Sequence, residues 1–326
     1  MLAGEAFERA EPHLASGISR LLLSQWDQAQ EDRERLRDHR YAIERMLRPR
    51  RTRHACSELD IHLATVDGDG WDCGYRNLQM LLSALVKGLV QTTHNATYSA
   101  SGQGPPATPW RTGQVPNVLA IQEALEIAWS CGFDEMDRSH FYEPLRGSRQ
   151  WIGTSDAAAL LRYWGVDVRL VDSDPQFQSE RESRHQSLMR WALQYYVRRC
   201  ARAGGCIVCR QSGRSTARAS DGDVSNARAV HAGSKRNDWI PPLFFQYAGH
   251  SVTVIGVEID LRRNESCLLL IDPSQGVSCG RPRIRAWTLQ DLQAVQYQVL
   301  YIHECVFLDE RTPMKQRQKL SSLRLV

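Results

Sequence analysis

The apolar pattern of this chain changes its period once, and that change constrains the fold more than any other feature. Up to about residue 202 apolar side chains recur at helical spacing; from about residue 243 they fall into short β-branched or aromatic runs bounded by turn residues. Four helices are predicted in the first part. One follows Cys73, where Leu78, Leu81, Leu82, Leu85 and Leu89 form an i, i+3, i+4, i+7, i+11 stripe. Another starts after Pro116, with Asn117 as cap, and runs to about Cys131. A third follows the capping residues Thr154, Ser155 and Asp156, and a fourth covers 187–202. LFFQYA, HSVTVIGVEI, CLLLID and QVLYIHECVFL then read as strands. Helices first and strands second predict an α+β fold and argue against a doubly wound sheet.

The stretches around these elements set the expected domain organisation. Residues 5–47 read as a helical arm with Leu14, Ile18, Leu21, Leu22 and Trp26 roughly on one face, continuing into the mixed-charge run DQAQEDRERLRDHR. RPRRTR ends the arm at Pro49. Residues 1–53 are therefore expected as a helical arm and basic linker: a solvated arm, a partner-binding helix or a nuclear import signal. The main domain is expected over 54–312, with a loop at 91–113 and a polar, disordered insertion at 211–238; residues 313–326 read as a tail.

Composition narrows the function classes. With 42% hydrophobic and 24% charged residues the chain can build a core without staples. A net charge of +4, with its basic residues in clusters, argues against a nucleic-acid partner. No apolar run approaches the roughly 20 residues that span a bilayer, and acids enter the first residues where a signal peptide would be apolar. The nine cysteines are odd in number and irregularly spaced, which points to a reducing cytoplasm or nucleus and not to a disulfide framework. Cys206 and Cys209 form a single CxxC with no second pair, so buried thiols are expected there and no zinc. No metal or organic cofactor is implied.

The segment DGDGWDCGYRN carries the chemistry. Gly68 and Gly70 allow a tight approach, and Cys73 falls at the first turn of the leucine-striped helix. A thiol there meets the helix dipole and unpaired N–H groups, which favour the thiolate and could also receive an oxyanion. By residue type alone, however, a cysteine is more often inert. A thiolate needs a base, and among ten histidines His250 stands out at the mouth of the run SVTVIGVE. Asp272 ends CLLLID, so a hairpin of these two runs would make it a neighbour of His250 and able to orient the ring. A turn histidine and an Asp-Pro turn are the plain alternatives for each alone. The coincidence of all three is stronger than any member.

GWDCGYRNLQMLLSAL closely resembles the active-site segment of the zinc-finger-containing ubiquitin peptidases and the related ubiquitin-fold-modifier proteases, whose pattern is GWGCGYRN-x-QML. The likeness continues in QWIGTSDAAALLRYWGV, QYAGHSVTVIGVE and LLLIDPSQG, and so covers about 56–310 with 204–240 as extra sequence. It resembles a fungal-type member without zinc fingers, since no zinc-finger spacing occurs before Cys56. The resemblance implies a papain-like cysteine peptidase that cuts after the carboxy-terminal glycine of ubiquitin or a ubiquitin-like modifier, with Cys73 as nucleophile, His250 as base and Asp272 as orienting acid. Two departures matter. Asp72 replaces a glycine, which would oppose the thiolate if its carboxylate shared the pocket and would leave a ubiquitin-binding pseudoenzyme. Ser274 stands where the modifier-specific branch has the histidine of an Asp-Pro-His motif, which leaves His250 as base and favours ubiquitin over ubiquitin-fold modifier. For a side-chain oxyanion donor, His62, Thr65 and Asp67 are the polar residues upstream.

Overall fold

The computed structural model describes residues 51–64, 70–93, 108–134, 141, 144–173, 181–203, 239–261, 263–275, 282–308 and 312–325. The expected arm, the CxxC at Cys206 and Cys209 and the 211–238 insertion lie outside the described residues. Eight strands form one sheet: β1 (Arg51–Ala55), β2 (Val166–Ser173), β3 (Leu243–Tyr247), β4 (His250–Asp260), β5 (Glu265–Ile271), β6 (Ile284–Thr288), β7 (Tyr297–Phe307) and β8 (Ser322–Arg324). Their order is β6-β5-β4-β3-β7-β2-β8, with β1 also paired to β4. All pairings are antiparallel except that of β2 with β8. The helices are α1 (Cys73–Thr93), α2 (Pro109–Thr112), α3 (Val118–Ser130), α4 (Thr154–Tyr163), α5 (Arg181–Arg202) and α6 (Met314–Gln318). The α+β class is the one the change of period predicts.

Local chemistry sets several of these boundaries. Asn117 caps α3 by accepting the Ala120 N–H at 2.8 Å. α4 starts earlier than expected: Thr154 is already helical, Gly153 is the cap, and Asp156 accepts the Gly153 N–H at 2.7 Å. α1 packs on β3 and β4 and against α2, α3 and α4. Residues 73–86 are consequently buried on every side of the helix, not only along the leucine stripe.

The strict order of helices before strands fails at β1 and β2. Residues 51–53, assigned above to a basic linker, begin the sheet. Arg51 pairs with Asp260 and Ala55 with Gly256 in the β1–β4 ladder. The arginines are spent on the acidic end of β4: Arg53 Nε lies 2.5 Å from Glu258, and Arg51 Nε lies 3.3 Å from Asp260. Arg51 and Arg53 are thus sheet residues with carboxylate partners, and the boundary of the main domain falls before Arg51. The tail is also part of the fold, since β8 runs parallel to β2 and Arg162 donates to the carbonyls of Gln316 and Arg317.

Candidate active site

Cys73 is the first residue of α1, delivered by a turn in which Gly70 takes φ 69°. The Arg76 N–H donates to the Asp72 carbonyl at 3.0 Å, so the N–H groups of Cys73, Gly74 and Tyr75 precede the helical ladder. Gly74 admits no side chain, because a Cβ there would lie 2.3 Å from the Ile152 carbonyl oxygen. The QWIG segment therefore crosses the first turn of α1 at backbone contact, which joins two distant sequence blocks into one site. Three bonds hang the segment in place: Tyr75 Oη donates to the Gln150 carbonyl at 2.9 Å, Gln122 Nε2 to the Ser148 carbonyl at 2.9 Å, and the Thr154 N–H to Gln246 Oε1 at 2.7 Å.

His250 opens β4 directly after a two-residue hairpin loop, with Tyr247 and His250 paired across it. Ala248 and Gly249 have φ 43° and 74°, the two positive values a type I′ turn needs. Tyr247 meets the imidazole edge-on, with ring centroids 5.7 Å apart. Antiparallel pairing of Thr253 with Ile271 brings the end of β5 to the start of β4, where Asp272 follows. His250 Nε2 stands 2.9 Å from Asp272 Oδ1. The same oxygen accepts the Ser274 hydroxyl at 2.7 Å and its N–H at 3.1 Å. With Nε2 engaged there, Nδ1 is the ring nitrogen left for the Cys73 thiol, which lines the same cleft as His250. The structure thus brings together all three residues singled out in the sequence.

Their electrostatics follow from this geometry. Burial pushes the Cys73 thiol up, but hydrogen bonds with His250 and Ser251 and the charge of His250 outweigh it, and the net result lies below an ordinary thiol. His250 is raised to about 9, chiefly by its hydrogen bond to Asp272 and then by Cys73, against the opposing effect of burial. For Asp272, burial acts upward, yet the hydrogen bonds from His250 and Ser274 bring it below its ordinary value. A thiolate facing an imidazolium is the favoured state of the pair.

Asp72, the departure next to the nucleophile position, is held in an ion pair. Its Oδ2 accepts from Arg76 Nε at 2.9 Å, and both side chains are 2% exposed. Arg76 also donates to Gln79 at 3.0 Å, and Gln79 in turn to the Pro116 carbonyl at 2.9 Å. One oxygen of the carboxylate beside the nucleophile position is thus committed to a guanidinium, while the other, Oδ1, is buried without a hydrogen-bond partner.

A cleft of about 470 Å³ opens at the thiol, lined by Trp151, Ile152, Gly153, Gly249 and His250. Trp151 is 55% exposed, and a Cβ on Gly249 would lie 3.1 Å from its ring. Sequence reasoning missed Ser251, whose Oγ lies 3.4 Å from Cys73 Sγ, and Asn77 and Thr253 behind it. Their signal was available: Ser251 and Thr253 are the polar positions in an otherwise apolar stretch of β4. Of the upstream polar residues, His62 is half-buried, and Thr65 and Asp67 lie outside the described residues. Among the described residues no group of His, Cys, Asp and Glu side chains could hold a metal ion.

Comparison with known proteins adds a family. The sequence profile of Peptidase family C78 matches residues 50–285, a span that contains Cys73, His250, Asp272 and all four blocks of the resemblance. This chain belongs to peptidase family C78. Zinc finger-containing ubiquitin peptidase 1 of Rattus norvegicus is 28% identical over 271 residues, 79% of this chain and 39% of that protein. The C78 chain thus spans about two fifths of that relative's length. Ubiquitin carboxyl-terminal hydrolase mug105 of Schizosaccharomyces pombe is 24% identical over 249 residues, 74% of this chain and 78% of that protein. The crystal structure of UfSP from C. elegans aligns over 80% of this chain and 36% of that one, with 15% identity and a TM-score of 0.42. Within its own fold, the C78 chain sets a cysteine at a helix start against a histidine and an aspartate at a sheet end, the layout that the papain-like resemblance implies.

Proposed function

We propose that this C78 chain is a thiol-dependent deubiquitinase that hydrolyses the isopeptide or peptide bond after the carboxy-terminal glycine of ubiquitin. The observation that carries this is the buried Cys73 thiol at the start of α1, in one cleft with His250, whose Nε2 stands 2.9 Å from Asp272 Oδ1. In the mechanism, the Cys73 thiolate attacks the glycine carbonyl, and the oxyanion lies at the N–H groups of the first turn of α1. The His250 imidazolium gives its proton to the departing lysine amine, and a thioester remains. His250 then takes a proton from water, the hydroxide displaces the thiolate, and the ubiquitin carboxylate leaves. Asp272 fixes the tautomer that presents Nδ1 to the sulfur.

The cleft supports a glycine tail, because Gly153 and Gly249 line it and Trp151 stands against Gly249. Ubiquitin is favoured over other modifiers by Ser274, which restrains Asp272 in place of supplying a histidine, and by relatives named as ubiquitin peptidases. Cys56, Cys131, Cys200 and Cys267 stand as thiols outside any disulfide, which suits a reducing compartment, the cytoplasm or nucleus. A panel of modifier–fluorophore conjugates tests the substrate. Release from the ubiquitin conjugate, absent in Cys73→Ala, is the expected result; release from the ubiquitin-fold-modifier conjugate alone would overturn it.

A further inference from the structure

From Ser251, which lines the cleft beside Cys73, a chain of side-chain hydrogen bonds that the three-residue mechanism does not use runs into the interior. Thr253 Oγ1 donates to Asn77 Oδ1 at 2.7 Å, Asn77 Nδ2 donates to Ser251 Oγ at 2.9 Å, and Ser251 Oγ stands 3.4 Å from Cys73 Sγ. Asn77 comes from the second turn of α1, whereas Ser251 and Thr253 come from β4, so the chain also ties the two halves of the site together. Exposure along it is 0% at Asn77, 2% at Ser251, 1% at Thr253 and 4% at Cys73, too little for water to replace a missing donor.

We infer that Ser251 is a further catalytic residue, whose hydroxyl proton is aimed at the Cys73 sulfur, and that Asn77 and Thr253 are positioning residues that keep it so aimed. The inference rests on Cys73 being the nucleophile. A hydroxyl carries one proton, and an amide NH₂ can only donate. With the Asn77 amide nitrogen on its oxygen, Ser251 has an occupied lone pair, and its proton is left for the sulfur. Were the amide turned over, Asn77 Oδ1 would take that proton and the buried sulfur would lose its hydroxyl donor. Thr253 donates to Oδ1 in the productive orientation and so holds the amide there. The donated bond favours the thiolate over the thiol. The same bond weakens when the sulfur becomes a neutral thioester and returns when the thiolate departs, so Ser251 assists the second half of the reaction as well as the first.

The test is the pH dependence of Cys73 alkylation by iodoacetamide, followed by the mass of the Cys73 peptide on the full chain. Ser251→Ala should move the midpoint of reactivity upward by about one pH unit, the size expected for losing a hydrogen bond to a charged group. Asn77→Asp, which keeps the shape but offers a carboxylate to the Ser251 proton, should move it the same way. Thr253→Val should give a smaller upward shift, and Thr253→Ser should restore the original midpoint. If Ser251→Ala fails to fold, the near-isosteric Thr253 pair decides: equal midpoints in Thr, Val and Ser overturn the inference. An unchanged midpoint in folded Ser251→Ala overturns it too. Alkylation needs no ubiquitin, so shifted midpoints in a chain that cleaves no ubiquitin conjugate would sink the substrate assignment and leave the relay standing.

Discussion

Two buried carboxylates flank the thiol, one at the start of α1 and one at the end of β5, and they do opposite work. Asp72 is paired with Arg76, a cation at every accessible pH, at 2.9 Å, whereas the near partner of Asp272 is His250 at 2.9 Å, a cation only when protonated, with the Arg285 guanidinium farther off at 4.0 Å. Beside a permanent guanidinium a carboxylate is cancelled and becomes part of the helix start. Beside an imidazole it sets where the ring titrates, and through the ring it sets the thiol. Sequence proximity misleads here. The carboxylate adjacent to Cys73 in the chain pairs with Arg76, whereas the one 199 positions away, as 272 − 73 gives, raises the imidazole that in turn lowers the thiol.

The contrast can be broken most sharply at the sheet end. His250→Ala should reduce turnover of a ubiquitin conjugate by at least ~10³-fold at neutral pH, since both proton transfers are lost. Asp272→Asn should cut turnover by ~10²–10⁴-fold and should also reshape the pH profile. In the wild type, turnover should rise as pH passes the lowered Cys73 value and fall as His250 loses its proton near pH 9. The main cause of the raised His250 value is the bond to Asp272, so removing the carboxylate should move the alkaline limb to lower pH. Asp72→Asn should leave both limbs where they are. A movement of the limbs in Asp72→Asn, or none in Asp272→Asn, would reverse the roles given to the two carboxylates.

The helix start is instead tested by stability. Arg76→Ala leaves a buried carboxylate without its guanidinium and should cost about 3–5 kcal/mol in denaturant unfolding. The smallest effect belongs to the hairpin that presents His250. Ala248 holds φ 43° there, so Ala248→Gly should raise stability by up to about 1 kcal/mol without altering turnover.

How much of this was legible in the sequence depended on the range of the interaction. The leucine stripe of α1, the Asn117 cap and the strands β3, β4, β5 and β7 are written in local periodicity. The pairing of His250 with Asp272 was legible because one antiparallel hairpin contains both. β1 was not, because the charges of Arg51 and Arg53 read locally as a basic linker, while their partners Glu258 and Asp260 lie more than 200 residues away. The leucine stripe likewise describes only one face of α1. Arg76, Asn77, Gln79 and Ser83 are buried on its other sides, each satisfied by a partner on α1 or in another segment. β6, β8 and α6 are short, β8 and α6 are largely exposed, and none carries an apolar repeat to announce it. β2 did carry a period-2 signal in VDVRLV, overshadowed by the helices on either side.

The central claim is that Cys73 is a nucleophile directed at the tail of ubiquitin. Ubiquitin bearing an electrophile at its carboxy terminus, incubated with the full chain and followed by intact mass, tests it most directly. A single added ubiquitin on the wild type, lost in Cys73→Ala and mapped to the Cys73 peptide, is the result expected. Ubiquitin that binds without forming an adduct, or an adduct that survives Cys73→Ala, would contradict the account.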